Sequence, residues 1–215
     1  MIDYCLSFLD MEKIPFSERV CENDFWQEAC TVFNENGKYY VCGVLSVISK
    51  IRNMTDFFKE ENLKRIYSLC EEYFCEKGLS PDKHISIIRC FDLSGRGEKT
   101  DAVRLMGGEE NVLFSDISYL VSQGAVYGFI KDGKVVSLAG AVIKDGVANI
   151  HIETAPSYRK MGYAKKCLLA LLSELKNKNI PVLYECRSEN IASVNTVTTA
   201  GGKEICRYVR FIGRK

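Results

Sequence analysis

The sequence has only two histidines, His84 and His151, and none of its ten cysteines stands in a Cys-x-x-Cys pair. A zinc site wants several such ligands at short spacing, so no metal is expected. No apolar run approaches the ~20 residues of a membrane span, so no membrane partner is expected either. The opening MIDYCLSFLDMEK lacks a basic leading segment and carries Asp3 and Asp10 in its apolar stretch, unlike a secretory signal. An excess of one charge is also missing. The formal net charge is +1, with no basic stripe for nucleic acid and no acidic block. Two common phosphate-binding loops are absent as well. GRGEKT (95–100) misses the Gly-x-x-x-x-Gly-Lys-[Ser/Thr] spacing, and no Gly-x-Gly-x-x-Gly follows a strand.

What is present fits an ordinary globular chain. Apolar residues make up 47% and charged residues 27% of 215 positions, enough for one large domain or two small ones. The cysteines read as free, mostly buried thiols in a reducing compartment, which points to the cytoplasm. Neither histidine stands at a recognisable spacing from a cysteine nucleophile.

The apolar run YYVCGVLSVIS (39–49) reads as a buried strand. Helical spacing of Phe58, Leu63, Ile66, Cys70 and Phe74 predicts a helix over 55–78, capped by Thr55 and stopped by Gly78. HISIIRCF (84–91) reads as a strand. Residues 92–111, rich in Gly and charge, read as a loop connecting an N-terminal part to the rest. A short helix follows over 112–122. Strands at 125–131, 134–144 and 147–154 are separated by Asp132-Gly133 and Asp145-Gly146, strong hairpin signals. A helix over 162–178 then crosses to a strand at 181–187, parallel to 147–154. A short helix within 188–202 and a final antiparallel strand at 203–212 complete an α/β chain with a mixed sheet. The N-terminal aromatics Phe25, Trp26, Phe33, Tyr39, Tyr40, Phe57 and Phe58 read as core.

The strand VANIHIET (147–154) has one apolar face, Ala148, Ile150 and Ile152, and one polar face, Asn149, His151 and Glu153. That polar face looks either at solvent or into a cleft. Pro156 ends the strand. The helix that begins near Gly162 opens with backbone N–H groups that have no partner inside it. The helix dipole and the charges of Arg159 and Lys160 make that end positive, and glycine lets a ligand approach the main chain. Together these suit a phosphate or pyrophosphate.

Arg159-Lys160-Met161-Gly162-Tyr163-Ala164 resembles the [QR]-x-x-G-x-[GA] signature of the GNAT acetyltransferase superfamily. Asn190-Ile-Ala-Ser193, on a helix that ends at Gly201, resembles the family's N-x-x-[AS] helix. The order of elements over about 104–215 is also the family's, and Thr154-Ala-Pro-Ser-Tyr-Arg159 is most similar to a bacterial branch that includes antibiotic self-resistance enzymes.

The resemblance implies a GNAT acyltransferase fold over 104–215. The additional N-terminal α/β part, 1–103, has no motif tied to chemistry and is expected to pack against that domain and wall the acceptor site. The resemblance also implies acetyl-CoA as co-substrate. Pantetheine would pair with the backbone of Ile152 and Thr154. The pyrophosphate would sit on the amides of Lys160, Met161, Gly162, Tyr163 and Ala164, with Arg159 nearby. Asn190 and Ser193 join the coenzyme-binding set. The activity implied is transfer of acetyl to a small-molecule amine by direct attack, without nucleic acid or membrane partners and compatible with a homodimer. Glu153 is the first candidate base, His151 the second and Glu185 the third. Val197 stands where many members carry a tyrosine acid, for which Tyr184 or Tyr208 could substitute. That departure keeps an alternative open, an acyl-CoA-binding sensor or regulatory module without turnover.

Overall fold

Two Asp-Gly pairs set the frame of the C-terminal half. Asp132 and Asp145 take φ of 50° and 51°, and Gly133 and Gly146 each take 77°. Positive φ at both central residues defines the tight turns that match strand twist. The structure, a computed structural model, describes residues 14–19, 21–22 and 25–215.

In chain order the described strands and helices are β1 (Phe16–Glu18), β2 (Cys21–Glu22), β3 (Trp26–Glu35), β4 (Lys38–Gly43), α1 (Leu45–Ile51), α2 (Glu60–Glu76), β5 (Ser80–Pro81) and β6 (Ile88–Asp92). There follow β7 (Val103–Arg104), α3 (Ile117–Gln123), β8 (Val126–Lys131), β9 (Lys134–Lys144), β10 (Val147–Thr154), α4 (Tyr163–Asn177), β11 (Val182–Arg187), α5 (Ile191–Thr199) and β12 (Lys203–Arg214). A single 3-10 turn, Pro156–Tyr158, links β10 to α4. The chain is thus mixed α/β with a mixed sheet.

Contacts divide the chain into two units. The first holds the described residues up to Arg89, with 187–189 and 205–215. The second holds Cys90–Cys186 and Asn190–Glu204. These bounds differ from a cut at 103/104, because sheet pairing ignores chain order. Most of β12 joins the first unit by antiparallel pairing with β3, from Arg207 opposite Asn34 to Arg214 opposite Trp26.

In the first unit β4 pairs with β3 and, in parallel, with β1. Helices α1 and α2 supply Ile48, Ile51, Ile66 and Phe74 to its core. Phe33 and Phe57 are buried, whereas Phe25 is exposed. The apolar run expected as one strand breaks at Gly43. A Cβ there would lie 2.3 Å from the Ala29 carbonyl oxygen, so only glycine allows the approach. The Val44 carbonyl then accepts from Val47 and Ile48, starting α1. A continuous apolar run cannot distinguish a strand from a buried helix. Helix α2 starts at Glu60 rather than 55, because Asn62 binds the carbonyls of Thr55 and Asp56 and holds them in a turn. It stops as expected at Gly78, φ 68°, with Leu79 N–H donating to Phe74 O.

In the second unit the strand order is β11-β10-β9-β8-β7. The three-strand meander lies within a residue of its expected bounds, and α4 packs on it through Leu168, Leu171, Leu172 and Leu175. Burying each leucine contributes roughly 1.5–3 kcal/mol. Asp116 caps α3 by accepting from Tyr119 N–H, so that helix starts at Ile117 rather than 112. The stretch expected as a connecting loop is packed down. Leu93 and Leu105 are buried, and Glu98 N–H donates to Leu169 O on α4.

Candidate functional site

Strand β10 is bonded along both edges at its start and along one edge at its end. Its antiparallel register with β9 runs the whole length, from Val147 opposite Lys144 to Thr154 opposite Ser137. Its parallel register with β11 covers only Ala148 opposite Val182 and Asn149 opposite Leu183. Ala148 N–H donates to Pro181 O, so the even-numbered residues turn their backbone groups toward the β11 edge. By that alternation the N–H and C=O of Ile152 and Thr154 face the gap where β11 no longer pairs.

That gap opens into a cavity of about 800 Å³. Ile152, Glu153 and Thr154 line it from β10, Tyr184 from β11, and Asn190, Ser193 and Thr196 from the start of α5. Arg159, Lys160, Gly162, Tyr163 and Ala164 line it from the turn into α4. The structure therefore brings together nine of the ten positions expected to bind coenzyme. The tenth, Met161, lies exposed on the same turn.

The turn has the character of an anion cradle. Lys160 and Gly162 adopt φ of 63° and 78°. The first intrahelical bond runs from Lys166 N–H to Gly162 O, so Tyr163, Ala164 and Lys165 have no acceptor within the helix. No side chain caps this end. Arg159 folds back, its Nε donating to Thr154 O at 3.3 Å. The Tyr163 ring stacks on Phe129 at 4.1 Å between centroids, which anchors the helix start. Asn190 caps α5, its Oδ1 accepting from Ser193 N–H at 3.2 Å.

The two first-choice bases meet a residue the sequence reading did not single out. Glu153 accepts from Phe114 N–H at 2.8 Å, from Ser115 N–H at 3.0 Å and from the Ser115 hydroxyl. Ser115 Oγ also lies 2.8 Å from His151 Nε2. Burial alone would raise the Glu153 carboxyl. The Ser115 hydroxyl and the two amides outweigh it, and the carboxyl is held below its usual range. A carboxylate so depressed and so fully engaged makes a poor proton acceptor. His151 is exposed. The signal for Ser115 was faint: one serine before an Asp helix cap, 36 residues upstream of its partner.

Glu185 stands on β11 with the Cys90 thiol pointing at its Oε1 from 3.5 Å. Tyr184 is 5% exposed, and burial raises its hydroxyl pKa while Ser193 partly offsets that. Tyr208 belongs to the first unit and Val197 is wholly buried. Burial pushes the Cys167 thiol up to about 12, which fits a packing role. Among the described residues no group of three or more His, Cys, Asp or Glu side chains could hold a metal, and no helix is long and apolar enough to cross a membrane.

Residues 106–211 match the family model "GNAT acetyltransferase". No curated protein matches the chain significantly. Among solved structures, a Drosophila protein aligns at TM-score 0.51 and 13% identity, over 73% of this chain and 58% of its own. An acetyltransferase from the GNAT family of Colwellia psychrerythraea aligns at 0.49 and 18%, over 67% and 61%. A GCN5-related N-acetyltransferase-like protein from Streptococcus suis aligns at 0.48 and 13%, over 86% and 84%. The chain thus spans about three fifths of the length of the first two. At 13% identity the Drosophila likeness speaks for fold alone, and the matched residues carry the family: the C-terminal half of the chain, residues 106–211, is a GNAT acetyltransferase domain.

Proposed function

We propose that this domain transfers an acetyl group from acetyl-CoA to the amine of a small molecule by direct attack. The observation that carries the reading is the parting of β10 from β11 beyond Asn149, with the open amides of α4 beside the gap. The residues fit the coenzyme. Ile152 and Thr154 offer the pantetheine amides a strand edge that β11 leaves open, and Lys160 to Ala164 with Arg159 offer donors and positive charge to the pyrophosphate. Donors fixed in the main chain lose little freedom on binding. When bound, acetyl-CoA supplies an activated thioester. On the polar face of β10 His151 can accept the proton of an ammonium acceptor, with the Glu153 carboxylate held beside it through Ser115. The Tyr184 hydroxyl, kept protonated by burial, can return a proton to the departing thiolate. The exposed thiol of Cys75 suits a reducing, cytoplasmic setting.

A second reading, an acyl-CoA-binding module without turnover, draws on Val197, whose buried side chain cannot act as an acid. A thiol-release assay over a panel of small amines, run beside a coenzyme-A titration followed by amide NMR, decides. Shifts at 160–164 with release for at least one amine are expected. Shifts without release for any acceptor would favour the module. Amides that stay unmoved would sink both readings.

A further inference from the structure

Ser115 Oγ has one hydrogen and two neighbours that want it. One is the Glu153 carboxylate, which has no hydrogen of its own to give when ionised. The other is His151 Nε2 at 2.8 Å. Once the serine hydrogen points at the carboxylate, Oγ offers only lone pairs to the ring, so the ring nitrogen must be the donor. The hydrogens then run in one direction, from Nε2–H to Oγ and from Oγ–H to the carboxylate. The amides of Phe114 and Ser115 hold the carboxylate in place at 2.8 and 3.0 Å.

We propose that Ser115 is a positioning residue that fixes His151 as the Nε2–H tautomer, so that Nδ1 is the nitrogen that takes the acceptor's proton. Glu153 is then the anchor of the chain rather than the base. This rests on the acetyl-transfer reading. An ammonium acceptor gives one proton to Nδ1, and the ring becomes imidazolium with its charge facing Glu153 through Ser115. The freed amine lone pair forms the N–C bond to the thioester carbonyl carbon. The C–S bond breaks with its electron pair on sulfur, the Tyr184 hydroxyl gives its proton to that thiolate and regains one from the amine nitrogen, and Nδ1 returns the first proton to water. Without the serine the ring would be free to hold its hydrogen on either nitrogen and to rotate about its bond to the strand.

The test uses the full chain labelled with nitrogen-15 and a long-range proton–nitrogen correlation of the two histidine rings at neutral pH, assigned with His84→Gln. His151 is expected as the Nε2–H tautomer in the unaltered protein. Ser115→Ala should give a tautomer mixture and lower kcat about tenfold, with KM for acetyl-CoA unchanged. Ser115→Thr, which keeps the hydroxyl, should restore the tautomer and most of kcat. A His151 ring found mainly as Nδ1–H, or a Ser115→Ala protein with tautomer and kcat unchanged, overturns the proposal. The tautomer is read without substrate. Failure of acetyl transfer would appear separately, as absent thiol release or unmoved amides at 160–164.

Discussion

Glu28 in the first unit and Glu153 in the second are both strand carboxylates held by several donors, yet they are built for different ends. Glu28 is 1% exposed and is met by two guanidinium groups, Arg19 at 2.7 Å and Arg210 at 2.6 Å. Arg210 also lies over the Trp26 ring at 5.1 Å. Formal charges meet there inside the fold. Glu153 is met by two amides and a hydroxyl, all neutral, at the wall of an open cavity. Its negative charge is solvated by dipoles and not cancelled, so it can still act on a positive charge that arises nearby. The first arrangement suits stability, and the second, on the proposed acetyl-transfer reading, prepares a field.

Three measurements would sharpen or break that contrast. The largest effect is expected at Glu28. Glu28→Ala strips two guanidinium groups of a buried counter-ion and should cost about 3 kcal/mol in urea unfolding. A loss well under 1 kcal/mol would mean that the triad contributes little. Gly162→Ala comes next. Its φ of 78° is a left-handed conformation that costs an L residue roughly 1–2 kcal/mol. Shifting that backbone should misalign the amides and weaken coenzyme A by about tenfold, which is 1.4 kcal/mol by calorimetry. Unchanged affinity would remove the cradle from the binding site. The smallest effect is the pH response of Glu153. Its folded-state pKa is depressed, so its stabilisation of the Phe114–Ser115 segment is present above the ordinary carboxylate range and fades as pH falls through the lower folded value. Amide exchange at Phe114 and Ser115 should therefore rise only at strongly acidic pH, and Glu153→Gln should flatten the profile. Rising exchange already at mildly acidic pH would contradict the depression.

The second unit was far more legible in sequence than the first. Asp-Gly pairs at 132–133 and 145–146 demand positive φ, and alternation along β10 separates Ala148, Ile150 and Ile152 from His151 and Glu153, so local chemistry names both turns and faces. Most of the positions proposed to bind coenzyme come from the same six-residue turn and its neighbours. What local pattern could not show was pairing at a distance. Gly43 ends a strand because it meets Ala29, and β12 leaves its sequence neighbours to pair with β3. Ser115 escaped for the same reason, since its role depends on a strand 36 residues away.

Gly97 shows how misleading composition can be about where the chain tolerates change. A side chain there would begin 2.2 Å from the Ser173 backbone nitrogen, in a backbone of φ 120°. Leu93 and Leu105 pin the same stretch on either side. The glycine-rich segment that invites a reporter fusion, a protease site or an inserted tag is therefore a poor place for any of them. The Asp132-Gly133 tip, where a Cβ on the glycine meets nothing within 4 Å, is the better graft point.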